Sequence, residues 1–144
     1  MISQQNRNEE NLAPDNNSDN ELDTGLLCLA FIAGHYQISA DLFQIIHESC
    51  PINNSCNSED IMRAANRLGF KTRLLSEQSI NQLSNIPIPS ILCLTDNSFV
   101  VAALRLSDGR LRIFDPHKKA VIDFDKGTAP EKWSGEILMV APKS

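Results

Sequence analysis

The sequence predicts an α+β domain, with helices gathered in the first half and an antiparallel sheet in the second. Apolar residues recur at helical spacing up to Gly69, the period changes to two from Phe70 onward, and Ser107-Asp108-Gly109-Arg110 joins two apolar runs as a hairpin signal. Strands and helices do not alternate, which argues against βαβ units.

The first predicted helix is Asp23-Thr24-Gly25-Leu26-Leu27-Cys28-Leu29-Ala30-Phe31-Ile32-Ala33-Gly34-His35-Tyr36, entered through a tight turn and apolar on nearly every side. A second is expected from Ser39 to about Glu48, with Ser39 as cap and Asp41 in its first turn. Ser58 is expected to cap a third, with Glu59 and Asp60 in its first turn, Ile61, Met62, Ala64, Ala65 and Leu68 inward and Gly69 as its stop. Cys50 to Asn57 reads as a loop from its Pro and Asn content. Strands are expected at Lys71 to Leu75, Ser90 to Leu94, Ser98 to Leu106, Leu111 to Asp115, Val121 to Phe124 and Ile137 to Val140, with a short helix or turn from Glu77 to Leu83.

Residues 1–21 are rich in Asn, Gln, Asp, Glu and Ser and show no apolar period, so they are expected to form a flexible polar tail ahead of a domain at 22–144. A chain of 144 residues, 42% hydrophobic, buries one core. A net charge of −5 leaves no basic footprint for nucleic acid. No apolar run reaches the roughly 20 residues that cross a bilayer, and no signal peptide opens the chain. Four cysteines without regular spacing suggest thiols in a reducing compartment.

The motifs that carry chemistry lie in order along the chain. Asp23-Thr24-Gly25 precedes the small and apolar run that leads to Cys28-Leu29. Ser98-Phe99-Val100-Val101 opens a strand, and Asp115-Pro116 ends the next. Over about Leu22 to Ala141 this series resembles the C39 peptidase family, whose opening motif is Asp-Cys-Gly, whose base opens a strand written His-Phe-Val-Val, and whose orienting Asp sits in an Asp-Pro turn. The resemblance implies a papain-like cysteine peptidase fold. It also implies a catalytically degenerate site, with Thr24 at the nucleophile position, Ser98 at the base position and only Asp115 kept. The region around Ser18 offers Ser, Asp and Asn where the family's oxyanion-binding Gln stands. A threonine hydroxyl without a base is a weak nucleophile, so no catalytic residue is assigned.

The pattern is that of the C39-like N-terminal domains of type I secretion ABC transporters for RTX toxins and adhesins. What that implies is a non-catalytic domain on the cytoplasmic side of the bacterial inner membrane, which recognises unfolded passenger. The chain would then be a fragment. The rest of the transporter, including its ATP- and Mg-binding ATPase domain, a membrane fusion protein and an outer-membrane channel would complete the system, and this domain itself would need no cofactor. Thr24, Ser98, Phe99, Asp115 and Trp133 are the candidate passenger-binding residues, expected around a cleft between the helices and the sheet. Two other readings are a regulatory module against the transporter's nucleotide-binding domain and an active double-glycine leader peptidase using Cys28, Cys50, Cys56 or Cys93.

The remaining groups have plainer readings. Cys28 and His35 share a helix face but stand about 10 Å apart along the axis. His47, Cys50 and Cys56 lack a fourth zinc ligand, so no metal is expected. Cys93 reads as a buried small hydrophobe and His117 as a solvated tip. Asp115 either holds its turn through backbone N–H groups or touches ligand.

Overall fold

The computed structural model describes residues 24–38, 44 and 56–143. The expected tail, the helix from Ser39 to Glu48 apart from Gln44, and His47 and Cys50 lie outside the described residues. Helix α1 spans Thr24–His35 and α2 Ser58–Arg67. Six strands follow: β1 Phe70–Leu75, β2 Ser90–Leu94, β3 Phe99–Arg105, β4 Leu111–Asp115, β5 Ala120–Phe124 and β6 Trp133–Pro142, with a 3-10 turn at Ile80–Ser84.

The strands form one sheet in the order β1-β6-β2-β3-β4-β5, every pair antiparallel. Period-two alternation divides its side chains between two cores. Phe70, Ile91, Cys93, Phe99, Val101, Leu138 and Val140 face the helices and pack with Leu26, Leu29, Ile32, Ile61 and Ala65. Leu92, Val100, Ala102, Leu111, Ile113 and Ile137 face the opposite way and pack under Leu83 and Ile86. The apolar residues of β2 and β3 are therefore consecutive because both faces of the central strands are covered.

Helix α2 begins one residue earlier than the Ser58 cap expected from sequence. Asn57 is the N-cap: the Asp60 N–H donates to Asn57 Oδ1 (2.8 Å) and the Asn57 N–H to Asp60 Oδ2 (3.1 Å), a reciprocal capping box. Gly69, at φ +95°, ends it as expected, because that conformation is strained for any residue with a Cβ. The largest difference lies in β6, which runs ten residues from Trp133 rather than four from Ile137. Its first half carries Ser134, Gly135 and Glu136, which hide the apolar period, while the backbone continues to pair with β2 across a register shift at Cys93/Leu94.

The expectation of four thiols is corrected: Cys56 is disulfide-bonded. Spacing along the chain does not report which Cβ atoms approach closely enough for a bridge. Cys28 and Cys93 keep buried thiols. Among the described residues no helix is long and apolar enough to cross a membrane.

Candidate functional site

The site is built where the start of α1 meets the start of β3. Thr24 is the first residue of α1, and its Oγ1 accepts the backbone N–H of Phe99 at 3.0 Å across 75 positions of chain. This contact sets the helix terminus beside the Ser98–Phe99 peptide. Ser98 closes the β2–β3 turn, in which Asn97 takes the left-handed conformation at φ +68° that Asn tolerates. Within that turn the Ser98 hydroxyl and backbone N–H both donate to Asp96 Oδ1. Those two bonds, helped by Lys132 at 3.4 Å, hold the Asp96 carboxyl below its ordinary range.

Asp115 ends β4, and its Oδ1 accepts the backbone N–H groups of His117 (3.0 Å) and Lys118 (3.2 Å). The carboxylate therefore holds its own turn, one of the two roles left open by the sequence. Ser98 and Asp115 line one cleft of about 410 Å³ on the sheet face turned away from the helices. Leu94, Val100, Ile113, Ile122 and Phe124 give it an apolar floor, and Asp96, His117, Lys118, Glu131 and Lys132 give it a charged rim. Sequence reasoning placed His117 at a solvated tip; it is exposed, and it also stands on the cleft wall. Its signal was proximity to the Asp115-Pro116 turn.

The other three candidates, Thr24, Phe99 and Trp133, do not line that cleft. Phe99 is 4% exposed and faces the helices, where it meets a separate cavity of about 330 Å³ with Cys56, Asn57, Cys93 and Glu136. Trp133 lines a third, shallow depression of about 470 Å³ with Ile80, Pro130 and Gly135, and its Nε1 donates to the Glu136 carbonyl at 3.0 Å. Alternation separates Phe99 from Ser98 and Val100, so adjacency in sequence does not make them neighbours in one site.

No described thiol is poised for nucleophilic work. Burial, with Glu136 adding to it, pushes Cys93 up to about 12. Cys28 is fully buried, and Cys56 is in a disulfide. Among the described residues there is no group of three His, Cys, Asp or Glu side chains able to hold a metal ion.

Comparison with known proteins places this geometry. The model of the Peptidase C39 family matches residues 16–144. The cyclolysin secretion/processing ATP-binding protein CyaB of two Bordetella pertussis strains is 30% identical over 129 residues, which are 83% of this chain and 16% of CyaB. The chain thus spans about one-sixth of the length of these curated relatives. Among solved structures, the double-glycine-motif protease of an AMS/PCAT transporter in complex with its leader peptide superposes with a TM-score of 0.72 at 20% identity, covering 85% of this chain and 86% of that one. The peptidase domain of Streptococcus ComA, a bifunctional ABC transporter of a quorum-sensing pathway, gives 0.70 at 23% identity over 84% and 92%. The N-terminal C39-like domain of the toxin secretion ATP-binding protein of Vibrio parahaemolyticus gives 0.69 at 16% over 85% and 99%. The shared fold is papain-like, and with its match over most of its length this chain belongs to the Peptidase C39 family.

Proposed function

We propose that this domain is a catalytically silent member of its family, which recognises unfolded passenger for a type I secretion transporter and does not cut it. The observation that carries the reading is the engagement of Thr24. Where the family resemblance puts a nucleophilic thiolate, this chain has a hydroxyl that already accepts the Phe99 N–H. The base position holds Ser98, whose hydroxyl is turned onto Asp96, and the Asp115 carboxylate is engaged with the N–H groups of its own turn. A nucleophile and base act as a unit, and their joint loss removes nearly all rate above that given by binding.

What remains is a binding surface. The cleft beside Ser98 and Asp115 has an apolar floor and both signs of charge on its rim, which suits an extended polypeptide with scattered apolar side chains. The relationship to the cyclolysin secretion protein supports a toxin-type passenger, of which glycine-rich RTX repeats are the expected class. ATP hydrolysis, membrane passage and contact with the fusion protein and outer channel would reside in the rest of such a transporter. A modest affinity is enough, because paired subunits raise the effective concentration.

The test is to titrate the domain with an RTX fragment kept unfolded by chelating calcium, and with the same fragment folded by calcium. Binding of the unfolded form alone, with the fragment recovered intact, is the expected result. Hydrolysis, or equal binding of both forms, would overturn the reading.

A further inference from the structure

Among the described residues the sheet has two outer strands, and they are defended differently. β1 carries Lys71 and Arg73 along its length, the ordinary protection of an edge against added strands. β5 reads Ala-Val-Ile-Asp-Phe, without proline or bulge, and among the described residues it pairs only with β4. Its one charge, Asp123, is turned back over β4, where Arg112 binds it through Nε (2.8 Å) and Nη2 (3.1 Å). Edge protection by charge is therefore cancelled on β5.

One face of this edge carries Ile122 and Phe124, and the other carries Val121 beside the Asp123–Arg112 pair. Val121 is 59% exposed and lies opposite Phe114, which stacks on Phe31 of α1 with ring centroids 5.2 Å apart. Ile122 is 38% exposed on the other face and forms part of the cleft wall. An added strand would set alternate side chains beside Val121 and beside Ile122.

Charge specifies the occupant. Residues 105–126 hold six Lys and Arg (Arg105, Arg110, Arg112, Lys118, Lys119, Lys126) against four Asp (Asp108, Asp115, Asp123, Asp125), a local net of +2 in a chain of net −5. Three of the six, Lys118, Lys119 and Lys126, bracket β5 and make no ion pair among the described residues. We infer that the outer edge of β5, unpaired among the described residues, takes an extended acidic polypeptide segment as an additional strand, its backbone bonded to the edge and its carboxylates set at the bracketing lysines. The inference deepens the passenger-recognition reading and rests on it for the source of that segment.

The probe is the synthetic peptide Asp-Asp-Val-Thr-Val-Thr-Val-Asp-Asp, compared with its counterpart bearing Lys in place of every Asp. Amide hydrogen exchange and a binding titration are read on the domain and on its V121K and K119E/K126E variants. Val121 and the two lysines are exposed, and retained core exchange shows that each variant is folded. The acidic peptide is expected to protect amides of residues 120–124 and to bind roughly tenfold or more tightly than the basic one, with each variant losing that preference. Equal binding of the two peptides, protection confined to other strands, or self-pairing of the domain through β5 would each overturn the inference. The two levels separate cleanly. Peptide binding at β5 without binding of unfolded RTX fragment removes the passenger reading alone, and RTX binding unaffected by V121K removes the edge alone.

Discussion

Thr24 and Phe99 are joined by a hydrogen bond from the Phe99 amide to the Thr24 hydroxyl, 3.0 Å long, that fastens the first turn of α1 to the first residue of β3. The bond links the helical layer to the centre of the sheet. It makes Thr24 a structural residue. Thr24→Ala leaves the Phe99 N–H without its acceptor, at a cost of about 1–3 kcal/mol, whereas Thr24→Ser keeps the oxygen and is expected to cost less. Urea unfolding of the two variants, with exchange of the Phe99 amide, measures the difference.

Cys93 ties stability to alkaline pH. Its folded pKa is pushed up to about 12 from the ordinary 9.0, first by burial and then by Glu136. Raising an acid's pKa favours its protonated form in the native state, so this contribution is fully present below about pH 9 and is lost as pH rises toward 12. Unfolding free energy measured from neutral pH upward is expected to begin falling near pH 9, and Cys93→Ala is expected to flatten that decline. In the folded protein the Cys93 thiol should resist alkylation until denaturant is added.

At the acid end the relevant pair is Arg112 and Asp123. The guanidinium holds the Asp123 carboxyl below its ordinary range, so the pair's contribution is present above the unfolded carboxylate pKa and disappears as pH falls through the lower folded value. Because both groups are partly open to solvent, the effect is expected to be small globally and local in place. Asp123→Asn should speed amide exchange in β5 while the exchange of β2 and β3 stays unchanged.

Helix α2 depends on its cap. Asn57→Ala removes the acceptor for the Asp60 N–H and is expected to cost about 1 kcal/mol, with Asn57→Asp or Asn57→Ser recovering most of it. Thermal unfolding of the three variants decides this.

Much of the architecture was legible because the apolar period changes once, near Phe70, and because turn chemistry is local. Gly109 at φ +91° closes the hairpin that Asp108-Gly109 announced, and Gly69 stops α2 where expected. The features that were missed depend on distant partners. Asn57 is a cap because Asp60 answers it, Trp133 belongs to a strand because β2 pairs with its neighbourhood, and Cys56 is oxidised through a proximity that sequence spacing does not encode. For the site, Ser98 and Asp115 line one cleft, but it lies on the sheet face turned away from the helices and not between the helices and the sheet as expected, and Phe99 reads as a cleft residue only until strand alternation is assigned. At 4% exposure it is core, and Phe99→Ala is expected to cost about 3–5 kcal/mol, which makes it a poor probe of binding. Ile122, which lines the cleft at 38% exposure, is the better one.

The most direct measurement is an amide chemical-shift titration of the isotopically labelled domain with calcium-free RTX fragment, followed by mass analysis of the fragment. Shifts gathered on Ser98, Val100, Ile113, Asp115, His117 and Ile122, with the fragment intact, are the expected result. A cleaved fragment would contradict the silent site, and a folded domain whose spectrum does not move would contradict passenger recognition.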